Sequence, residues 1–70
     1  MLNRNEIQKI KEKYRVGMRV RLLIMEDMQA PTIGTEGTVR GDDIGSIMVA
    51  WDTGLSLSLI PDEDEFEIIP

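Results

Sequence analysis

The feature that most constrains this chain is the apolar alternation on both sides of Asp52-Thr53-Gly54. If these residues form a three-residue hairpin loop, Gly54 takes the left-handed position that such a loop requires. A two-residue turn would slip the pairing by one and set apolar against polar side chains. The sequence therefore predicts a β-hairpin that pairs large apolar residues on one face, Trp51 with Leu55, Val49 with Leu57 and Ile47 with Leu59. The same register places Ala50 opposite Ser56 and Met48 opposite Ser58.

Three further segments have the composition of short strands. Residues 19–24 alternate polar and apolar side chains, residues 34–40 are rich in β-formers between glycines, and residues 66–69 are mostly apolar. No helical pattern separates the strands, so parallel βαβ units are excluded. Five strands from about fifty residues close more easily as a bent barrel than as a sandwich. The predicted fold is mainly β, a small five-stranded SH3-like barrel.

A short N-terminal helix is predicted ahead of the barrel, over residues 4–14. Asn3 followed by Glu6 has the spacing of a helix N-cap, and Asn5 is the alternative cap. Gly17 is expected to end the helix. The chain thus divides into an N-terminal helix, residues 1–15, and an SH3-like β-barrel domain, residues 16–70.

The apolar stripe of this helix leaves two alternatives open. Ile7, Ile10 and Tyr14 recur at helical spacing on one narrow face. The stripe either plugs the barrel, which we favour, or meets a partner, with a homodimer as one form of the second alternative.

Charge is divided unevenly along the chain, whose 13 acidic and 8 basic side chains give a net charge of −5. Residues 1–21 hold seven basic and two acidic side chains, a balance of +5, and residues 22–70 hold one and eleven, a balance of −10. Most of the chain therefore repels phosphate. A basic face remains that could bind nucleic acid or an acidic protein. It consists of Lys9, Lys13, Arg19 and Arg21, with Lys11 and Arg15 beside them. Ordinary solubility is the alternative explanation for these charges.

Absent residue types argue against catalysis and bound cofactors. The chain has no Cys, so it has no thiolate nucleophile, and no His, so it lacks the commonest general base. Both are also the usual ligands of transition metals. The acids at 42–43 and 62–65 lack the ligand spacing of a calcium loop, and no Lys-Ser/Thr follows Gly34 and Gly37 as in a phosphate-binding loop. We therefore predict no catalytic residue, no cofactor and no metal. Because charges interrupt the first twenty residues, we expect no membrane segment and a cytoplasmic location.

The loop after the first predicted strand is the candidate contact surface. Met28, Pro31 and Ile33 give it an apolar character, and flexible methionines suit adaptable interfaces. Covering one end of the barrel is the alternative role. With Ile10 and Tyr14, these are the predicted partner-binding residues. Trp51 is predicted to lie in the core instead, because it is in phase with the apolar residues of its strand.

Several motifs in this order resemble a family of small proteins catalogued as domain of unknown function 4314. They are Gly17–Leu22, Met25–Pro31, Gly34–Val39, Asp42–Gly45, Val49–Gly54 and Leu57–Pro61. The resemblance covers residues 15–69 and leaves the helix outside it or at its margin. Thr32 departs from the family's second proline, which loosens the loop, and Thr53 replaces an Asn but still permits the hairpin. The resemblance implies a protein of Gram-positive bacteria, their phages or conjugative elements, with no assigned activity.

These observations favour a non-catalytic protein-binding or adaptor module with an unidentified protein partner. The alternative is a nucleic-acid-associated accessory protein that uses the basic N-terminal face. Nucleic acid ranks second because no stacking aromatics flank the basic residues. An enzyme ranks third.

Overall fold

A computed structural model describes residues 3–70 and places one helix ahead of four strands. The elements are α1 Arg4–Lys13, β1 Arg19–Ile24, β2 Glu36–Asp43, β3 Ser46–Trp51 and β4 Glu65–Ile69. The strands form one open antiparallel sheet in the order β3-β2-β1-β4. The prediction of a mainly β fold is confirmed. Met1 and Leu2, which fall in the predicted helical segment 1–15, lie outside the described residues.

The N-terminus of α1 is capped as the sequence predicts. The side-chain oxygen of Asn3 accepts a hydrogen bond from the Glu6 backbone N–H at 2.9 Å. The end of the helix differs from the prediction, since the chain becomes extended at Tyr14 (φ −116°, ψ 99°). Gly17 instead lies in the turn before β1, with φ +94°, and its N–H donates to the Val39 carbonyl at 2.8 Å. Gly17 therefore forms the turn that leads into β1, and the helix ends before it.

The fifth predicted strand is wrong, although its register is confirmed at two positions. Within residues 55–60 only Ser56 and Leu59 form bridges, opposite Ala50 and Ile47. No backbone hydrogen bond joins Leu57 to β3 in the described chain, and the Leu57 carbonyl instead accepts the indole N–H of Trp51 at 2.9 Å. The strand is thereby reduced to two isolated bridges. The structure has four strands and does not confirm an SH3-like barrel.

The core lies on one face of the sheet. Alternate residues of β1, β2 and β3 are buried there, together with one residue from the segment after β3: Val20, Leu22, Val39, Ile47, Val49, Trp51 and Leu59. The prediction that Trp51 belongs to the core is confirmed, since it is 2% exposed. Gly37 allows β2 and β3 to approach, because a Cβ there would lie only 2.6 Å from Val49 Cγ1.

Helix α1 contacts this core through one side. Ile10 and Tyr14 pack against the core cluster, and the Tyr14 and Phe66 rings lie 5.3 Å apart at 56°. No helix residue is fully buried, so the helix rests on the sheet at few points. Two of the three residues of the apolar stripe, Ile10 and Tyr14, therefore pack on their own chain. Within residues 3–70, no helix is long and apolar enough to cross a membrane.

Candidate functional site

The segment between β1 and β2 exposes an unusual number of apolar side chains. We call residues 23–33, the last two residues of β1 and the segment that follows them, the apolar loop. Met28 is fully exposed, Ile33 is 71% exposed, and Leu23 and Ile24 are exposed where the loop leaves β1. Pro31 is half-buried, and Met25 packs against the core. The loop therefore combines an anchored base with an apolar outer surface.

Local hydrogen bonds give the apolar loop a defined course. The Asp27 carboxylate accepts the Gln29 N–H at 2.8 Å, and the Asp27 carbonyl accepts the Ala30 N–H at 3.0 Å. Such a turn, in which an Asp bonds the backbone two residues on, follows from its short acceptor side chain. At the end of the loop, the Gly34 N–H donates to the Leu22 carbonyl at 2.8 Å. The bond between Gly34 and Leu22 holds the ends of the loop and the two Asp27 bonds shape its middle, while Met28 and Ile33 remain exposed.

Arg19 and Arg21, two residues of the predicted basic face, lie on the outer face of the sheet in a network of ion pairs. The Arg19 guanidinium donates to Thr38 Oγ1 at 2.9 Å and to Asp52 Oδ1 at 2.8 Å. Glu36 lies 3.4 Å from both arginines and connects them. Arg21 also pairs with Glu67 on β4. The network thus joins β1 to both of its neighbours in the sheet and to the turn after β3.

The electrostatics of this network oppose a positive surface. Three carboxylates face the two guanidinium groups. The hydrogen bond from Arg19 holds the pKa of Asp52 below its ordinary value. The hydrogen bonds from Asp52 and Glu67 in turn raise the pKa of Arg19 and of Arg21, respectively. Both arginines are therefore fixed in their charged form and locally neutralised.

The other two residues of the predicted basic face line a shallow groove of about 240 Å³ beside α1. Lys9 and Lys13 stand on its helix side, around Ile10 and Tyr14. The Lys13 ammonium lies 5.4 Å from the centre of the Tyr14 ring. The structure thus brings Lys9 near Lys13 and Arg19 near Arg21, but it places the pairs on different sides of the sheet. A single basic face that includes all four residues stays a prediction.

Sequence reasoning missed the second wall of this groove. Pro61 and Asp62 form it, with Glu6 completing the lining. The Asp64 carboxylate accepts the Ile60 N–H at 2.8 Å and holds the turn that carries them. No sequence signal pairs this turn with a helix some fifty residues earlier. Within residues 3–70, no three metal-ligating side chains form a cluster.

The fold and these surfaces define a small domain of one helix and a four-stranded antiparallel sheet, with an exposed apolar loop. The chain belongs to the family described as Domain of unknown function (DUF4314), which matches residues 3–69. The match includes α1, so the helix is part of the family domain and not at its margin. No curated protein matches the chain. No solved structure matches it either.

Proposed function

We propose that this domain is a non-catalytic protein-binding module and that the apolar loop is its contact surface. The observation that carries the proposal is the exposure of Met28 and Ile33 on a loop whose ends are held by hydrogen bonds. Burying one such side chain in an interface is worth about 1.5–3 kcal/mol. A concentration of exposed apolar side chains on one segment of a small domain is typical of a protein contact.

We extend this proposal to an adaptor role and a cytoplasmic location, and the family resemblance adds a bacterial, phage or conjugative-element setting. The sheet order supports a relation to SH3-like barrels. The segment that bridges to β3 through Ser56 and Leu59 lies at the edge where a fifth strand would add to the order β3-β2-β1-β4. No catalytic role is proposed, since the chain has no His and no Cys.

A matched pair of variants tests the role of the apolar loop. A photo-crosslinking residue at position 28 should capture a defined partner in cells of the source organism. The binding of that purified partner should then weaken about tenfold or more in Met28→Ser with Ile33→Ser. Val16→Ser is the control, because Val16 is 70% exposed but lies at the opposite end of β1. Equal weakening in the control and the loop variant would count against the proposal.

The second candidate function is nucleic-acid binding by the helix lysines. The observation that favours it is that none of the ion pairs among residues 3–70 involves Lys9, Lys11 or Lys13. Titration with duplex and single-stranded DNA and RNA at low salt tests it. If the lysines bind phosphate, Lys9→Glu with Lys13→Glu abolishes binding, whereas Arg19→Gln with Arg21→Gln has little effect. The absence of binding to every nucleic acid would contradict this candidate.

A further inference from the structure

The outer edge of β4 is open in the part of the chain that the structure describes. β4 is the last strand of the sheet and pairs only with β1. No other backbone hydrogen bond reaches residues 65–69 from the rest of residues 3–70. An exposed edge of this kind is a template for one more strand.

The register identifies which backbone groups point outward. Leu22 uses both its N–H and its carbonyl toward the β2 side, with bonds to Thr35 and Gly34 of 2.9 and 2.8 Å. Because backbone groups alternate in direction along a strand, Arg19 and Arg21 turn theirs toward β4. Their partners in register are Ile69 and Glu67. The N–H and carbonyl groups of Phe66 and Ile68 therefore point away from the sheet.

A second copy of β4 is a poor occupant of this edge. Antiparallel self-pairing centred on Glu67 sets this glutamate opposite its own copy, and centring on Phe66 sets Glu65 opposite Glu67. Like charges directly opposite each other are destabilising. Centring on Ile68 requires an N–H from Pro70, which has none. The occupant is therefore a strand of different sequence.

Charge and apolar exposure specify the chemistry of that strand. Its side chains would alternate between the face of Glu65 and Glu67 and the face of Phe66 and Ile68. Glu65 is exposed, and Ile68 is 38% exposed on the core side. The turn before β4 adds three more acids, Asp62, Glu63 and Asp64. An incoming strand with Lys or Arg on one face and apolar residues on the other matches both faces.

We propose that β4 recruits an extended segment of a partner protein in which basic and apolar residues alternate, by adding it as a fifth strand. The inference rests on the proposed function in assigning the domain to protein binding, but it uses a surface separate from the apolar loop. The backbone groups of Phe66 and Ile68 supply the hydrogen bonds, and Glu65, which makes no ion pair within residues 3–70, selects the basic face.

A seven-residue peptide that alternates lysine with valine is the probe, and the same peptide with glutamate for lysine is the control. Binding of the lysine peptide should slow amide hydrogen exchange at Phe66 and Ile68. Exchange at Glu67 and Ile69, already bonded to β1, should not change. Affinity should fall as salt is raised, because exposed charges are screened. The glutamate peptide should not bind.

Ile68→Pro separates edge pairing from general attraction to an acidic surface. Proline removes the outward N–H and is tolerated on edge strands, so circular dichroism should show a folded domain, and Ile68→Ala, which keeps the N–H, controls for the lost side chain. The lysine peptide should bind about fivefold more weakly, the loss of one backbone hydrogen bond. Glu65→Lys is the second variant, since Glu65 makes no ion pair within residues 3–70 and its charge reversal should also weaken binding.

Four results would each overturn the inference: no peptide binding at millimolar concentration, equal binding of the two peptides, wild-type affinity in both variants, or exchange slowed away from β4. Dimerisation of the free protein through β4, seen by sedimentation, would overturn it as well. The combined Met28→Ser and Ile33→Ser variant should bind the lysine peptide normally. A failure of the apolar loop proposal is therefore distinguishable from a failure at β4.

Discussion

The indole N–H of Trp51 donates a hydrogen bond to the Leu57 carbonyl oxygen at 2.9 Å, across the hairpin that joins β3 to the segment after it. Val49 is the residue opposite Leu57 in the register of the flanking bridges. The buried indole thus takes the acceptor that a regular ladder would use for the backbone. One side chain both fills the core and fixes the returning segment without making it a strand.

Trp51→Phe should therefore destabilise the domain more than its loss of volume implies. The substitution removes the donor to Leu57 and leaves a smaller ring in the core, so we expect a loss of about 2–3 kcal/mol in the free energy of unfolding. Urea denaturation followed by circular dichroism measures it, because the change removes the only Trp. Tyr14→Phe is the control, since it keeps a ring against Phe66. A Trp51→Phe protein as stable as the wild type would show that the indole hydrogen bond contributes nothing.

The hairpin shows how far the sequence predicts this fold. The pairs Ile47 with Leu59 and Ala50 with Ser56 follow from the register that sets the large apolar residues opposite each other across a three-residue loop, and both are confirmed. The fifth strand was wrong because the periodicity of a sequence reports which side chains are buried. It does not report that a buried indole competes for a backbone acceptor. Local pattern thus predicts register better than it predicts strand continuity.

The ion-pair network around Arg19 and Arg21 shows what the sequence does not predict. Alternation in β1 predicts that Arg19 and Arg21 leave the core, but not which acids they meet. The register of β1 against β2 is set across the long apolar loop, where no tight turn fixes it. The pairing of Arg19 with Asp52 also requires the end of β3 to lie close to the start of β1 in the folded sheet. A basic face could therefore be predicted from the sequence, and its neutralisation could not.

Gly37→Ala should destabilise the contact between β2 and β3. A Cβ at this position would lie 2.6 Å from Val49 Cγ1 and 2.9 Å from Trp51 Cε3, which forces a shift in the packed core. We expect a loss of about 1–3 kcal/mol in urea denaturation. Val49→Ala removes the nearest obstructing atom, so the double variant should lose less than the sum of the two single variants. If the stability losses of the two single variants simply add in the double variant, contact with Val49 is not the source of the strain at position 37.

Asp52→Asn should flatten the dependence of stability on acid pH. Because Arg19 lowers the pKa of Asp52 below its ordinary value of 3.8, the unfolded chain binds a proton at this group before the folded protein does. The stabilisation is therefore fully present above about pH 5 and is lost as pH falls through the folded pKa. The stability advantage of the wild type over Asp52→Asn should shrink between about pH 5 and about pH 2. Urea denaturation across this range measures it.

Arg19→Gln provides the control for this pH dependence, because it breaks the same interaction from the other side. Its profile should be as flat as that of Asp52→Asn, and the double variant should be no flatter than either. If the wild type and Asp52→Asn instead lose stability in parallel with falling pH, the guanidinium does not stabilise the carboxylate in solution.

Asn3 and Asn5 offer a matched test of how α1 is held. Asn3 accepts the Glu6 N–H at 2.9 Å, whereas Asn5 is an exposed residue of the first helical turn. Asn3→Ala should cost about 1 kcal/mol of helix stability. Asn5→Ala should be neutral or slightly stabilising, since Ala is the better helix former.

The helix has no fully buried residue, so it should open locally while the sheet stays folded. Amide hydrogen exchange in α1 should therefore speed up about fivefold in Asn3→Ala with no change in β1. Faster exchange in both α1 and β1 would mean that helix and sheet unfold together. Faster exchange in Asn5→Ala would mean that Asn5, and not Asn3, caps the helix.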